Sequence, residues 1–111
     1  MLTSELRNNV LVVHVGEKRM DASKAPLFKD EMTKCIESGQ NQLVLDLSGV
    51  DFVDSSGLGA IVSCLKRLGP RGNLAIAGAK GAVSRLFTLT RMDKVFTLHD
   101  SVDAAVAQLS A

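Results

Sequence analysis

The stretch from Gln42 to Gly59, QLVLDLSGVDFVDSSGLG, narrows the folds open to this chain more than any other segment. Leu43-Val44-Leu45-Asp46-Leu47 is a short apolar run, the pattern of a strand covered on both faces. Ser48-Gly49 opens a loop, and Asp54-Ser55-Ser56-Gly57 then delivers the chain to a helix start. The helix carries Leu58, Ile61, Val62, Leu65 and Leu68 on one face, with Lys66 and Arg67 projecting away. Gly69-Pro70-Arg71-Gly72 stops it and turns the chain.

The flanking sequence extends this pattern. Leu2 to Arg7 alternates and Val10 to Val15 is rich in valine. Asn8-Asn9 between them tolerates the positive φ of a tight hairpin turn. The chain turns through Gly16 to Met20. Ala25, Phe28, Met32, Cys35 and Ile36 then recur at helical spacing, predicting a helix over Ser23 to Ser38 that Asp21 or Ser23 caps and Gly39 ends. Leu74 to Ala77 reads as a strand, and Val83, Leu86, Phe87 and Thr90 as a short helix. Val95 to Leu98 reads as an edge strand. Val102, Ala105, Val106 and Leu109 give a closing helix, capped by Asp100 or Ser101. The order is β-β-α-β-α-β-α-β-α. Helices alternating with strands call for a sheet with substantial parallel pairing: an α/β fold of four to five strands flanked by about four helices. With 111 residues and no linker, one domain over 1–111 is expected.

Composition excludes several roles. Thirteen basic against twelve acidic residues leave a net charge of +1, without the basic excess of a nucleic-acid binder. Four Phe with no Trp or Tyr offer no platform for stacking bases. No apolar run approaches the ~20 residues of a membrane helix, and the N-terminus lacks a secretion signal. A cytoplasmic monomer is the expected state. Cys35 and Cys64 are isolated core fillers, and no metal or cofactor is expected. His14, in a valine-rich strand, reads as a satisfied sheet histidine.

Ser55 is a small hydroxyl residue at an exposed helix start. Free backbone N–H groups and the positive end of the helix dipole converge there, which suits a phosphate. From the residues alone it is equally an N-cap hydroxyl, although Ser56 is the better cap. Gly57 and Gly59 read as openings for close backbone approach, or as relief of crowding in a tight turn.

The run Val44-Leu45-Asp46-Leu47-Ser48-Gly49-Val50-Asp51-Phe52, followed by Asp54-Ser55-Ser56-Gly57-Leu58-Gly59, resembles the STAS domain family over nearly the whole chain. Within it, the bacterial anti-sigma factor antagonists are most similar. The resemblance implies partner switching. The unmodified antagonist binds an anti-sigma factor that is also a serine kinase. Phosphorylation of the serine after the motif aspartate, here Ser55, dissolves the complex, and a serine phosphatase resets it. It implies a partner surface of Asp21, Asp54, Ser55, Ser56, Gly57 and Leu58. Core packing is the other fate of Leu58. Family members commonly place Gly two or three residues before the Asp after the second strand. Here Glu17-Lys18-Arg19-Met20 separates Gly16 from Asp21.

Two other readings compete. The fold could serve as a scaffold or an accessory subunit of a lipid transporter, but such relatives often lack the serine. A hydrolase using Ser55 fails because no Gly-x-Ser-x-Gly surrounds it and no base is evident.

Overall fold

The computed structural model describes residues 1–110. Strands β1 (Leu2–Arg7) and β2 (Val10–Val15) form an antiparallel hairpin in which Leu2 faces Val15 and Arg7 faces Val10. Its turn places Asn8 at φ 51° and Asn9 at φ 65°, the left-handed pair that a two-residue hairpin needs. A short strand β3 (Arg19–Met20) precedes helix α1 (Ala25–Glu37). Strand β4 (Gln42–Asp46), short strand β5 (Phe52–Val53) and helix α2 (Ser55–Leu68) follow. Strand β6 (Asn73–Ala77), helix α3 (Gly81–Leu89), a 3-10 turn (Met92–Lys94), strand β7 (Thr97–His99) and helix α4 (Val102–Ser110) complete the order.

The main sheet is five-stranded and mixed, in the order β1-β2-β4-β6-β7, with every pair parallel except β1–β2. Strand periodicity sorts its side chains. Leu11 and Val13 of β2, Leu43 and Leu45 of β4, and Ile76 of β6 join the core built with α1, α2 and α3. Val10, Val12, Val44, Ala75 and Ala77 join a second cluster with Ala105 and Val106 of α4. Both faces of the central strands are thus covered, which is why β4 reads as an unbroken apolar run. Phe87 of α3 meets Phe96 edge to face, with centroids 5.9 Å apart. Cys64 is buried between α1 and α2, and burial pushes its thiol up to about 11, so it is an inert filler at neutral pH. No helix among the described residues is long and apolar enough to cross a membrane.

Three local expectations are corrected. Helix α1 is not capped by Asp21 or Ser23: its N-cap is Lys24, with no side-chain capping bond, and Pro26 occupies its first turn. Asp21 instead closes a turn on Ser23, accepting from its N–H at 3.1 Å and its hydroxyl at 2.6 Å. The last strand begins at Thr97 and not at Val95, because the 3-10 turn holds Val95 and Phe96 by bonds from their N–H groups to the Met92 carbonyl. The segments read as a turn through Gly16–Met20 and as a loop after Ser48 contain a second, two-stranded sheet, β3–β5. Ser101 does cap α4, its hydroxyl accepting the Ala104 N–H at 3.1 Å.

His14 lies between two carboxylates on neighbouring strands. Its Nδ1 is 2.6 Å from Asp46 Oδ2 and its Nε2 is 3.2 Å from Glu5 Oε1. Only the imidazolium donates from both nitrogens at once. The hydrogen bond to Asp46 raises the His14 pKa above 6.5 against the opposing effect of burial. Burial likewise pushes the Asp46 carboxyl up, but the Ser48 N–H and His14 outweigh it and hold the carboxyl below 3.8. A raised histidine stabilises the fold fully below its unfolded-state pKa and loses that contribution as pH rises through the folded one. The stability lost in His14→Gln should therefore be largest below about pH 6.5 and shrink above it. Urea midpoints of the two proteins from pH 5 to 9 check this; a gap that is flat or widens with pH would contradict it.

Candidate functional site

The site is built where the small sheet meets the start of α2. Strands β3 and β5 pair in parallel, Arg19 opposite Phe52 and Met20 opposite Val53. The next residues along each strand are Asp21 and Asp54, so the parallel register carries both carboxylates to the same end. The Met20 carbonyl accepts the Asp54 N–H at 3.2 Å, and the Lys18 carbonyl accepts from Asp51 at 2.8 Å and Phe52 at 3.2 Å. These bonds fix the approach to the helix.

Asp54 caps that helix. Its backbone is extended (φ −97°, ψ −175°) and its Oδ1 accepts the Gly57 N–H at 2.9 Å. This corrects the expectation of Ser56 as the cap: α2 begins one residue earlier, at Ser55. A carboxylate here satisfies an orphan N–H and opposes the positive helix end, typically for about 1 kcal/mol. The Ser55 and Ser56 N–H groups have no protein acceptor among the described residues. Both side chains are exposed. Ser55 is therefore a solvent-exposed hydroxyl on the first turn of a 14-residue helix.

Gly57 and Leu58 do not lie on this surface. A helix starting at Ser55 turns positions 57, 58 and 61 inward. Leu58 is only 9% exposed and packs into the main core with Ile61 and Ala60. That corrects its assignment to the partner surface, and its place in the apolar stripe with Ile61 and Leu65 was the signal. Gly57 is buried against β3: a Cβ there would sit 2.1 Å from the Met20 carbonyl oxygen and 2.9 Å from its carbon. It is a close-approach glycine facing the protein's own backbone. Gly59 differs, with nothing within 4 Å of where its Cβ would be. It lines an open groove of about 660 Å³ between α1 and α2, together with Ser56, Ser63, Ala25 and Lys29.

The exposed face of the site is therefore Ser55 and Ser56, flanked by Asp21 and Asp54. The hydrogen bond from the Ser23 hydroxyl holds the Asp21 carboxyl below the usual carboxylate value, so it is an anion at neutral pH. Arg19 and Phe52 stack beside these residues, with the guanidinium carbon 4.2 Å from the ring centroid. The aromatic just ahead of Asp54 was the available signal. In the pair Phe52-Val53 one side chain must point outward, and Val53 is the buried one. The arrangement has no nucleophile–base–orienter set. It presents an exposed hydroxyl in an anionic frame.

The family model for the STAS domain matches residues 2–105. The anti-sigma F factor antagonist of Paenibacillus polymyxa is 27% identical over 107 residues, which cover 95% of this chain and 91% of that protein. The anti-sigma-B factor antagonist of Staphylococcus aureus is 27% identical over 92 residues, 82% of this chain and 84% of that one. The crystal structure of an anti-sigma factor antagonist from Mycobacterium paratuberculosis superposes with a TM-score of 0.92 at 27% identity, covering 100% of this chain and 94% of that one.

Proposed function

The chain belongs to the STAS domain family, and on that premise we propose that it is an anti-sigma factor antagonist switched by phosphorylation of Ser55. As one STAS unit, the unmodified protein binds a serine-kinase anti-sigma factor and so frees the sigma factor. The kinase transfers the γ-phosphoryl group of ATP to Ser55 Oγ. The hydroxyl proton leaves to a base on the kinase and ADP departs. A serine phosphatase restores the switch by hydrolysing the phosphate ester with water, releasing inorganic phosphate and the free hydroxyl.

The observation that carries this reading is the exposure of Ser55 on a helix end whose backbone is locked from below. The added phosphate brings roughly −1.5 to −2 charges. The helix N-terminus favours it by about 0.3–1 kcal/mol, while the neighbouring Asp54 carboxylate repels it. These local effects oppose each other and are small, so the fold survives modification. The consequence falls on the partner. A docked surface that buries Ser55 would have to desolvate a dianion beside Asp54 and Asp21, at a cost of several kcal/mol.

The test is incubation with ATP and a candidate serine-kinase anti-sigma factor from the same organism, followed by peptide mass spectrometry. One phosphate is expected on Ser55 and none on the Ser55→Ala protein. Modification of Ser56 alone, or of neither, would overturn the assignment.

A further inference from the structure

We propose that Arg19, held in place by Phe52, is the cation through which this protein engages a carboxylate on its kinase partner. This rests on the antagonist reading and adds a specificity-determining residue to it. Arg19 and Phe52 are directly opposed across the β3–β5 ribbon, and the guanidinium lies 4.2 Å from the ring centroid. Arg19 Nε also sits 3.7 Å from Asp21 Oδ2. The side chain is nonetheless 61% exposed, and it donates no hydrogen bond among the described residues.

A free surface arginine samples many rotamers, and ordering it on binding costs conformational entropy. Here the aromatic face and the Asp21 carboxylate already confine the side chain, so most of that loss precedes binding. Its planar fork stays open, and a carboxylate is its natural bidentate acceptor. Position makes the fork part of the switch. Phe52 lies three residues before Ser55, roughly 10 Å along an extended chain, so one docked surface reaches both. Around Arg19, the frame is anionic from Asp21 and Asp54, and Lys18 is the neighbouring cation. Lys18 has no aromatic partner among the described residues, so its charge is unpositioned. An exposed aromatic with a stacked arginine is also the composition of an interface hot spot.

The experiment uses the full chain and the serine-kinase anti-sigma factor that phosphorylates it. Dissociation constants are measured by calorimetry, and phosphorylation kinetics with ATP saturating. For Arg19→Ala, Kd for the kinase and KM for phosphorylation should each rise about tenfold or more, with kcat unchanged. Arg19→Lys keeps the charge but loses the fork and most of the stacking, so it should recover only part of the affinity. Thermal midpoints of both variants should match wild type, since Arg19 is exposed. If wild type binds and is phosphorylated while Arg19→Ala stays within twofold of it in Kd and KM, this inference fails and the antagonist reading stands. A change confined to the phosphorylated form would also overturn it, because Arg19 would then serve the phosphate and not the partner. Absence of any binding or phosphorylation of wild type would remove both.

Discussion

Replacing Gly57 by alanine should destabilise the protein by about 3 kcal/mol, near the upper end of what overpacking costs, and lower its thermal midpoint by on the order of 10 °C. The new Cβ would lie 2.1 Å from the Met20 carbonyl oxygen and 3.2 Å from the Met20 Cβ. The obstruction is backbone, so no rotamer change relieves it. Met20 cannot retreat easily either. It is fully buried, pairs with Val53, and accepts the Asp54 N–H that positions the helix cap. Alanine's better helix propensity returns about 1 kcal/mol and does not close the gap. Gly59→Ala is the matched control, two residues along the same helix, with no atom within 4 Å of the added methyl group. That variant should be neutral or gain up to about 1 kcal/mol. Chemical denaturation of the pair checks the argument, and equal effects at the two glycines would contradict it.

The second large effect is on binding. Phosphorylated Ser55 should weaken the kinase complex by about 2–3 kcal/mol, roughly 30- to 150-fold. Ser55→Asp carries one charge on a shorter stem and should weaken it less, about tenfold. Ser55→Ala should bind like wild type, because the exposed hydroxyl has no hydrogen-bond partner among the described residues. Far-UV spectra of all forms should coincide. The locked ribbon beneath the helix, and not the Ser55 side chain, holds this end of the molecule together. Isothermal titration against the kinase separates these values, and a Ser55→Asp protein that binds like wild type would count against the charge mechanism.

How legible the fold was depended on the length of each element. The hairpin, the buried strand β4 and the four helices all declare themselves through periodicity and turn residues, and Asn8-Asn9 adopts the positive φ that its composition suggests. Strands β3 and β5 are two residues each, too short for any period to show. Their pairing exists because the chain before Asp21 meets the chain before Asp54, a long-range event that local sequence does not encode. That ribbon in turn decides the site. It sets the helix start at Ser55, makes Asp54 the cap in place of Ser56, and turns Gly57 against Met20. Serine and aspartate are comparable caps by propensity, so geometry chose between them. The serine itself was readable because strand, loop and helix start surround it with recognisable patterns. Leu58 was readable as core too, from its spacing with Ile61 and Leu65. The stacked Arg19–Phe52 pair was not, since it depends on the register of the hidden ribbon.

The most direct measurement compares one protein in two states. Protein phosphorylated to completion by the kinase and its untreated counterpart are titrated into that kinase side by side, with amide NMR spectra recorded for each. The account predicts a loss of affinity of roughly 30-fold or more, with amide shifts confined to the neighbourhood of Ser55. Equal affinity of the two states, or spectral change spread through the sheet, would contradict it.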